Sequence, residues 1–301
     1  MVYSVPNFLI KKVIKSYQKK AEWKNIPLVR RGFERLTARW RKEEPLVEWE
    51  PMQIGNIHGA WLKPRAAFHS KKVWLYLHGG GYAAGSPNTH RNIVTPIVLN
   101  TDIKVLLIDY RLAPENPYPA ALEDAVFAYK WLLENGHSPS NISIGGDSAG
   151  GGLTLATLLF LKENQLPMPA SAVCISPWTD LSCSFATHRT NAEKETMLIP
   201  EALPYWAKNY YADTDPTDKF VSPAFGDFTG FPPLLIHVGD EEILLDDSLA
   251  VIEKAKAQGV AVEATVFKGY FHVFHGFWGF LSKARKANNE IKAFLLKTIA
   301  E

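Results

Sequence analysis

Long apolar runs are missing from this chain. Near the N-terminus Phe8, Leu9 and Ile10 are cut off at once by Lys11 and Lys12, too brief a stretch for a signal segment or a membrane span. Cysteine is scarce too. Cys174 and Cys183 are the whole complement, and Cys174 stands inside the apolar run Ala172 to Ile175, where a buried thiol behaves as a small hydrophobe. Nothing therefore calls for a disulfide framework or an oxidising compartment. Nor is there an excess of one charge: 33 basic side chains face 31 acidic ones, with no long basic run outside the N-terminal fifth. That balance points away from nucleic acid and acidic substrates and towards a neutral or apolar small molecule. Internal repeats and low-complexity tracts are also lacking. The expectation is a soluble, cytoplasmic protein without stable membrane insertion.

What is present is enough apolar material, 47% of 301 residues, to bury the core of one α/β domain with a lid. Residues 1 to 45 set Phe8, Ile14, Tyr17 and Trp23 among Lys11, Lys12, Lys15, Lys19 and Lys20, then Phe33, Leu36 and Trp40 among arginines. This spacing predicts two amphipathic helices. Such basic helices suit a covering for the protein's own body, with a membrane surface as the other use.

From about residue 46 the pattern turns to short β-type runs. Lys72 to Leu77, Lys104 to Asp109, Asn141 to Gly145, Ala172 to Ile175 and Leu234 to Val238 are nearly continuous apolar runs of strand length, as parallel strands buried on both faces require. Helical spacing follows in Ala120 to Glu134, Gly151 to Asn164 and Asp246 to Gln258, with a last strand at Val262 to Phe267 and a helix from about Gly276 onward. Alternation of this kind predicts a mostly parallel central sheet flanked by helices. Residues 181 to 219 break the rhythm with Met197, Leu198, Tyr205, Trp206, Tyr210, Tyr211 and scattered prolines, a composition suited to an insertion over a cleft. The expected organisation is cap helices in 1–45, a catalytic domain in 46–180 and 220–301, and a cap insertion in 181–219.

Gly146-Asp147-Ser148-Ala149-Gly150 has the form G-x-S-x-G between a predicted strand and a predicted helix, the context in which a strained strand-to-helix turn presents a nucleophilic serine. His78-Gly79-Gly80-Gly81 directly follows another predicted strand. Backbone free of side chains there can aim N–H groups at a developing oxyanion, and Gly80, Gly81 and Ala149 are the expected donors. His78 reads as a structural hydrogen-bonding residue. A general base is expected late in the chain, and Tyr270 to His275 supplies His272, the first histidine after the last strand, with His275 as the lesser candidate. His58, His69, His137 and His237 read as surface or core residues. The acid should lie between serine and histidine, and Gly239 to Asp247 offers five carboxylates: Asp240, Glu241, Glu242, Asp246 and Asp247.

Together, HGGG at His78 to Gly81, DYRLAPE at Asp109 to Glu115, GDSAGG at Gly146 to Gly151 and EILLD at Glu242 to Asp246 resemble the hormone-sensitive-lipase-like family of esterases, over roughly residues 70 to 280. The resemblance implies the α/β-hydrolase fold, an acyl-enzyme on Ser148, His272 as base, and an oxyanion hole of Gly80, Gly81 and Ala149. Its acid is usually Asp in D-x-L-x-D. Here Glu242 stands at that place, with Asp240 as the alternative. Asp109, Arg111 and Glu115 look like a scaffold for the HGGG loop. The family also implies an N-terminal cap, commonly a homodimer, short acyl esters as substrates, and no metal or organic cofactor. Rival readings are a catalytically silent receptor on the same fold, and an amidase, peptidase or acyltransferase sharing the same site.

Overall fold

The computed structural model describes residues 5–18, 22–40, 44–66 and 70–300; Lys19, Lys20 and His69 lie outside them. A β-hairpin opens the sheet: β1 (Val47–Ile54) and β2 (Ile57–Pro64) pair antiparallel with Ile54 opposite Ile57, and the turn between them uses Gly55 at φ +55, a left-handed conformation that glycine adopts without strain. The predicted strands follow as β3 (Val73–Leu77), β4 (Lys104–Asp109), β5 (Ile142–Asp147), β6 (Ser171–Ile175), β7 (Leu234–Gly239) and β8 (Val262–Phe267). Their spatial order is β1-β2-β4-β3-β5-β6-β7-β8. From β4 to β8 every pairing is parallel, so β3 and β5 are neighbours and β5 to β8 run side by side.

Helices cover both faces because strand side chains alternate. α1 (Asn7–Gln18) and α2 (Ile26–Trp40) precede the sheet. α3 (Pro87–Val98), α4 (Ala120–Glu134), α5 (Ala149–Glu163), α6 (Thr187–Thr190), α7 (Ala202–Tyr211), α8 (Leu245–Ala257) and α9 (Ser282–Thr298) follow. Val73, Leu75 and Leu77 pack with α4 and α5; Trp74 and Tyr76, one step along the same strand, pack with α3 and α9. α5 and α8 share a third cluster with β6 and β7.

Three elements depart from the sequence reading. The hairpin β1–β2 was covered only by the general change of pattern at residue 46. α3 was not predicted: Pro96 interrupts its helical signature, yet Ser86 starts it with a capping box to Thr89, which satisfies two end donors at once. The last helix begins at Ser282, not Gly276, because Phe274–Phe277 forms a separate 3-10 turn. No helix among the described residues is long and apolar enough to cross a membrane.

Candidate active site

Each functional side chain leaves the carboxyl end of a strand. Ser148 follows β5 with φ +54 and ψ −124 and is succeeded at once by α5. A non-glycine residue persists in such a conformation only when its surroundings fix it. Here Ser148 N–H donates to Ile175 O at 2.9 Å, and Trp178 N–H donates to Ser148 O at 2.9 Å. The flanking glycines are steric necessities: a Cβ on Gly146 would lie 2.2 Å from Leu77 O, and one on Gly150 only 1.9 Å from it.

Two strands away, His272 and Glu242 meet. His272 Nδ1 lies 2.8 Å from Glu242 Oε2, and a carboxylate can only accept, so Nδ1 carries the proton. Glu242 Oε1 accepts the Ser176 hydroxyl at 2.8 Å and the Gly239 N–H. Ser176 begins the loop after β6, and its Oγ also accepts Val273 N–H at 3.3 Å. One hydroxyl thus ties the loops after β6, β7 and β8 together. Both Glu242 and His272 are buried. Burial alone would push the imidazole below its ordinary value, but the hydrogen bond and charge of Glu242, then the charges of Glu195 and Asp147, outweigh it and hold His272 above 6.5. Asp147 immediately precedes Ser148, so the field acting on the imidazole includes the serine's own neighbour.

The other four predicted carboxylates go elsewhere. Asp240 Oδ1 accepts Gly269 N–H at 2.6 Å, Glu241 pairs with Lys11, Asp246 accepts Thr187 N–H at 3.0 Å, and Asp247 pairs with His188 at 2.6 Å. His275 is buried against His237, Nε2 to Nδ1 3.2 Å, and does not meet Glu242.

The HGGG loop leaves β3 beside the elbow. Gly79 N–H donates to Asp147 Oδ1 at 3.1 Å, and the same oxygen accepts the Tyr76 hydroxyl at 2.6 Å. Tyr110 donates to His78 O at 2.7 Å and stacks on the His78 ring at 4.2 Å. Gly80 and Gly81 take φ of +118 and +62. Among the described residues, no acceptor is found for the main-chain N–H groups of Gly80, Gly81 and Ala149; Ala149 is the first residue of α5, whose dipole adds to its N–H. The scaffold expectation needs correction. Asp109 is exposed at the end of β4, and Arg111 turns to Asp124 on α4 at 2.7 Å. The loop is held by Tyr110 and by Arg30 of α2, which donates to Ala83 O and Ala113 O at 2.7 and 2.9 Å and pairs with Glu115 at 2.7 Å.

Sequence reasoning missed a clasp around the acid loop. From the segment 181–219, Asn191 Nδ2 donates to Glu242 O at 2.9 Å, Thr187 Oγ1 to Ile243 O at 3.0 Å, and Glu195 Oε2 accepts Ile243 N–H at 3.0 Å. Glu195 Oε1 also accepts the N–H groups of Thr196, Met197 and Leu198. Burial raises its carboxyl above the ordinary value, against the opposing pull of His272. Thr187, Asn191 and Glu195 recur every fourth residue, a polar stripe that could have flagged one shared face.

A buried imidazole on a carboxylate, an elbow serine and a glycine loop are the arrangement of a hydrolase of the α/β-hydrolase fold. Comparison with known proteins agrees: a protein-family model described as an α/β-hydrolase fold matches residues 74–276. An acetyl-hydrolase of Streptomyces hygroscopicus is 43% identical over 248 residues, 82% of each chain. An esterase of Acinetobacter venetianus is 37% identical over 254 residues, 84% of this chain and 83% of that one. A solved esterase from the bacterial hormone-sensitive lipase family superposes with a TM-score of 0.92 at 37% identity, covering 97% of both chains; a hormone-sensitive lipase from a metagenome library gives 0.94 at 36%, over 99% of this chain and 100% of that one. The chain belongs to the hormone-sensitive-lipase-like family of esterases.

Proposed function

We propose that this enzyme hydrolyses short-acyl esters through an acyl-enzyme on Ser148. Glu242 engages Nδ1 of His272 and so directs Nε2 of the same ring to the Ser148 hydroxyl. As the serine oxygen bonds to the ester carbonyl carbon, its proton passes to Nε2, and the carbonyl oxygen becomes an oxyanion facing the N–H groups of Gly80, Gly81 and Ala149. The carbon–oxygen bond to the alcohol then breaks and the alcohol leaves with that proton. Water repeats the sequence on the acyl-enzyme and regenerates Ser148. Each oxyanion donor contributes about 3 to 4 kcal/mol to the transition state.

The observation that carries this reading is the His272–Glu242 hydrogen bond at 2.8 Å, built on loops tied through Ser176 to the strand that also anchors Ser148. The N-terminal helices and residues 181–219 act as the cap. α7 supports a small acyl site, because Trp206 stands so close over Gly81 that a Cβ there would lie 2.2 Å from its ring. The acetyl-hydrolase name of the Streptomyces relative agrees with a short acyl group. Ser148→Ala is expected to abolish hydrolysis of a nitrophenyl acetate and labelling by a fluorophosphonate. Near-native turnover by that variant would remove Ser148 as nucleophile.

A further inference from the structure

α1 is turned inside out for a helix that merely covers its own protein. Asn7, Ile10, Lys11, Ile14, Lys15 and Gln18 face the body. Asn7 donates to Gly269 O at 2.7 Å, Lys15 to Glu193 O at 2.9 Å, Lys11 pairs with Glu241, and Ile10 and Ile14 join the cluster around Phe271 and Phe274. The opposite side faces water with Phe8 67%, Leu9 43%, Val13 49% and Tyr17 53% exposed, and only Lys12 and Ser16 between them. An ordinary surface helix buries its carbon and exposes its lysines. Here four of the eleven exposed large apolar residues among those described sit on one three-turn helix.

Charge selects the occupant of this face. Twelve of the chain's basic residues and only four of its acidic ones lie in the first 45 positions, so the rest of the chain is net acidic. α2, next along the chain, exposes Arg31, Arg35 and Arg39 beside Leu36. α1 carries three lysines and no carboxylate, with Lys12 on the outer face itself, so an apolar stripe with positive charge and no negative charge beside it matches the boundary of an anionic lipid layer. We propose that the outer face of α1 docks the enzyme on an anionic lipid surface. Its contacts with Gly269 and Glu241 place the helix beside the loops that carry His272 and Glu242, so docking brings the site's rim to the lipid. This goes beyond the acyl-enzyme reading and does not depend on it, and Ser148→Ala protein should dock equally well.

The experiment is flotation of the full chain with vesicles of mixed phosphatidylglycerol and phosphatidylcholine, and with phosphatidylcholine alone. The native protein should float with the anionic vesicles, about tenfold more weakly with the neutral ones, and about tenfold more weakly again when salt screens the charge. The triple variant Leu9→Ser, Val13→Ser, Tyr17→Ser and the single variant Lys12→Glu should both lose anionic-vesicle binding, while hydrolysing a soluble nitrophenyl ester as the native protein does. Equal flotation with both vesicles, no flotation at all, or unchanged flotation of the triple variant would overturn the proposal. So would self-association that this variant abolishes without any vesicle binding, which would assign the face to a second copy.

Discussion

Glu242 and His272 stand 30 residues apart in the chain and 2.8 Å apart in space, whereas Asp240, two residues upstream of Glu242, spends its Oδ1 on the Gly269 main chain. The carboxylate that meets this imidazole is therefore a glutamate, and Ser176 and Gly239 hold its other oxygen.

The two carboxylates should separate cleanly by mutation. Glu242→Gln removes the charge that stabilises the imidazolium, and kcat should fall on the order of a thousandfold to ten-thousandfold. Asp240→Asn keeps an oxygen to accept the Gly269 N–H, so its kcat should stay within about threefold of native. Steady-state kinetics on one nitrophenyl ester read both; the reverse ranking would give the role to Asp240.

Glu195 should show itself in the pH profile. In the proposed mechanism the base works as neutral imidazole, and because His272 is held above 6.5, the acid limb of kcat/KM should lie above pH 6.5. Glu195→Gln removes one of the charges that raise it, so the limb should move to lower pH, while the weakened grip on Ile243 N–H lowers kcat about tenfold. A variant with reduced kcat and an unmoved limb would reduce Glu195 to a purely structural part.

Much of this architecture could be read before any coordinates. β3 to β7 are nearly continuous apolar runs because both their faces are buried, and the glycines around Ser148 announce a turn whose steric demands the Cβ distances bear out. The hairpin β1–β2 escaped because its outer strand is buried only at its two ends, Val47 and Ile54, while Glu48, Trp49, Glu50 and Pro51 between them are half-buried or exposed and show no alternation, a weak β signal. α3 escaped behind Pro96. The clasp of Thr187, Asn191 and Glu195 escaped for a different reason. Polar residues in a loop-rich insertion look solvated until the tertiary fold buries them, and nothing in their own neighbourhood tells which main-chain groups they will meet.

His188 and Asp247 link that insertion to α8, and their bond should appear in stability. Burial would lower the imidazole, but Asp247, with Cys183 adding, raises it to about 10. A folded value above the unfolded 6.5 stabilises fully below pH 6.5, and the contribution fades as pH climbs towards about 10. His188→Ala leaves the buried Asp247 without its cation, which should cost about 3 to 5 kcal/mol at pH 6. The gap from native in urea unfolding should narrow steadily at pH 8 and pH 9. A gap independent of pH would mean that the pair carries no proton-linked stability.

Trp206 sets the depth of the acyl site in the reading proposed above. Its ring lies over Gly81, its Nε1 donates to Trp23 O at 3.0 Å, and Trp23 meets Tyr205 edge-on with ring centroids 5.7 Å apart, so α7 and the N-terminal segment hold the indole in place together. Trp206→Ala removes a wall without touching Ser148, His272 or the three amides. Longer acyl chains should then gain relative to acetate: the ratio of kcat/KM for nitrophenyl octanoate over acetate should rise about tenfold, the scale of a methylene or two admitted to an apolar pocket. Acetate hydrolysis itself should change little, although Tm should drop because a large half-buried ring is lost. An unchanged ratio would place the wall of the acyl site elsewhere, with Tyr82 and Tyr210, stacked at 3.7 Å, as the next pair to truncate.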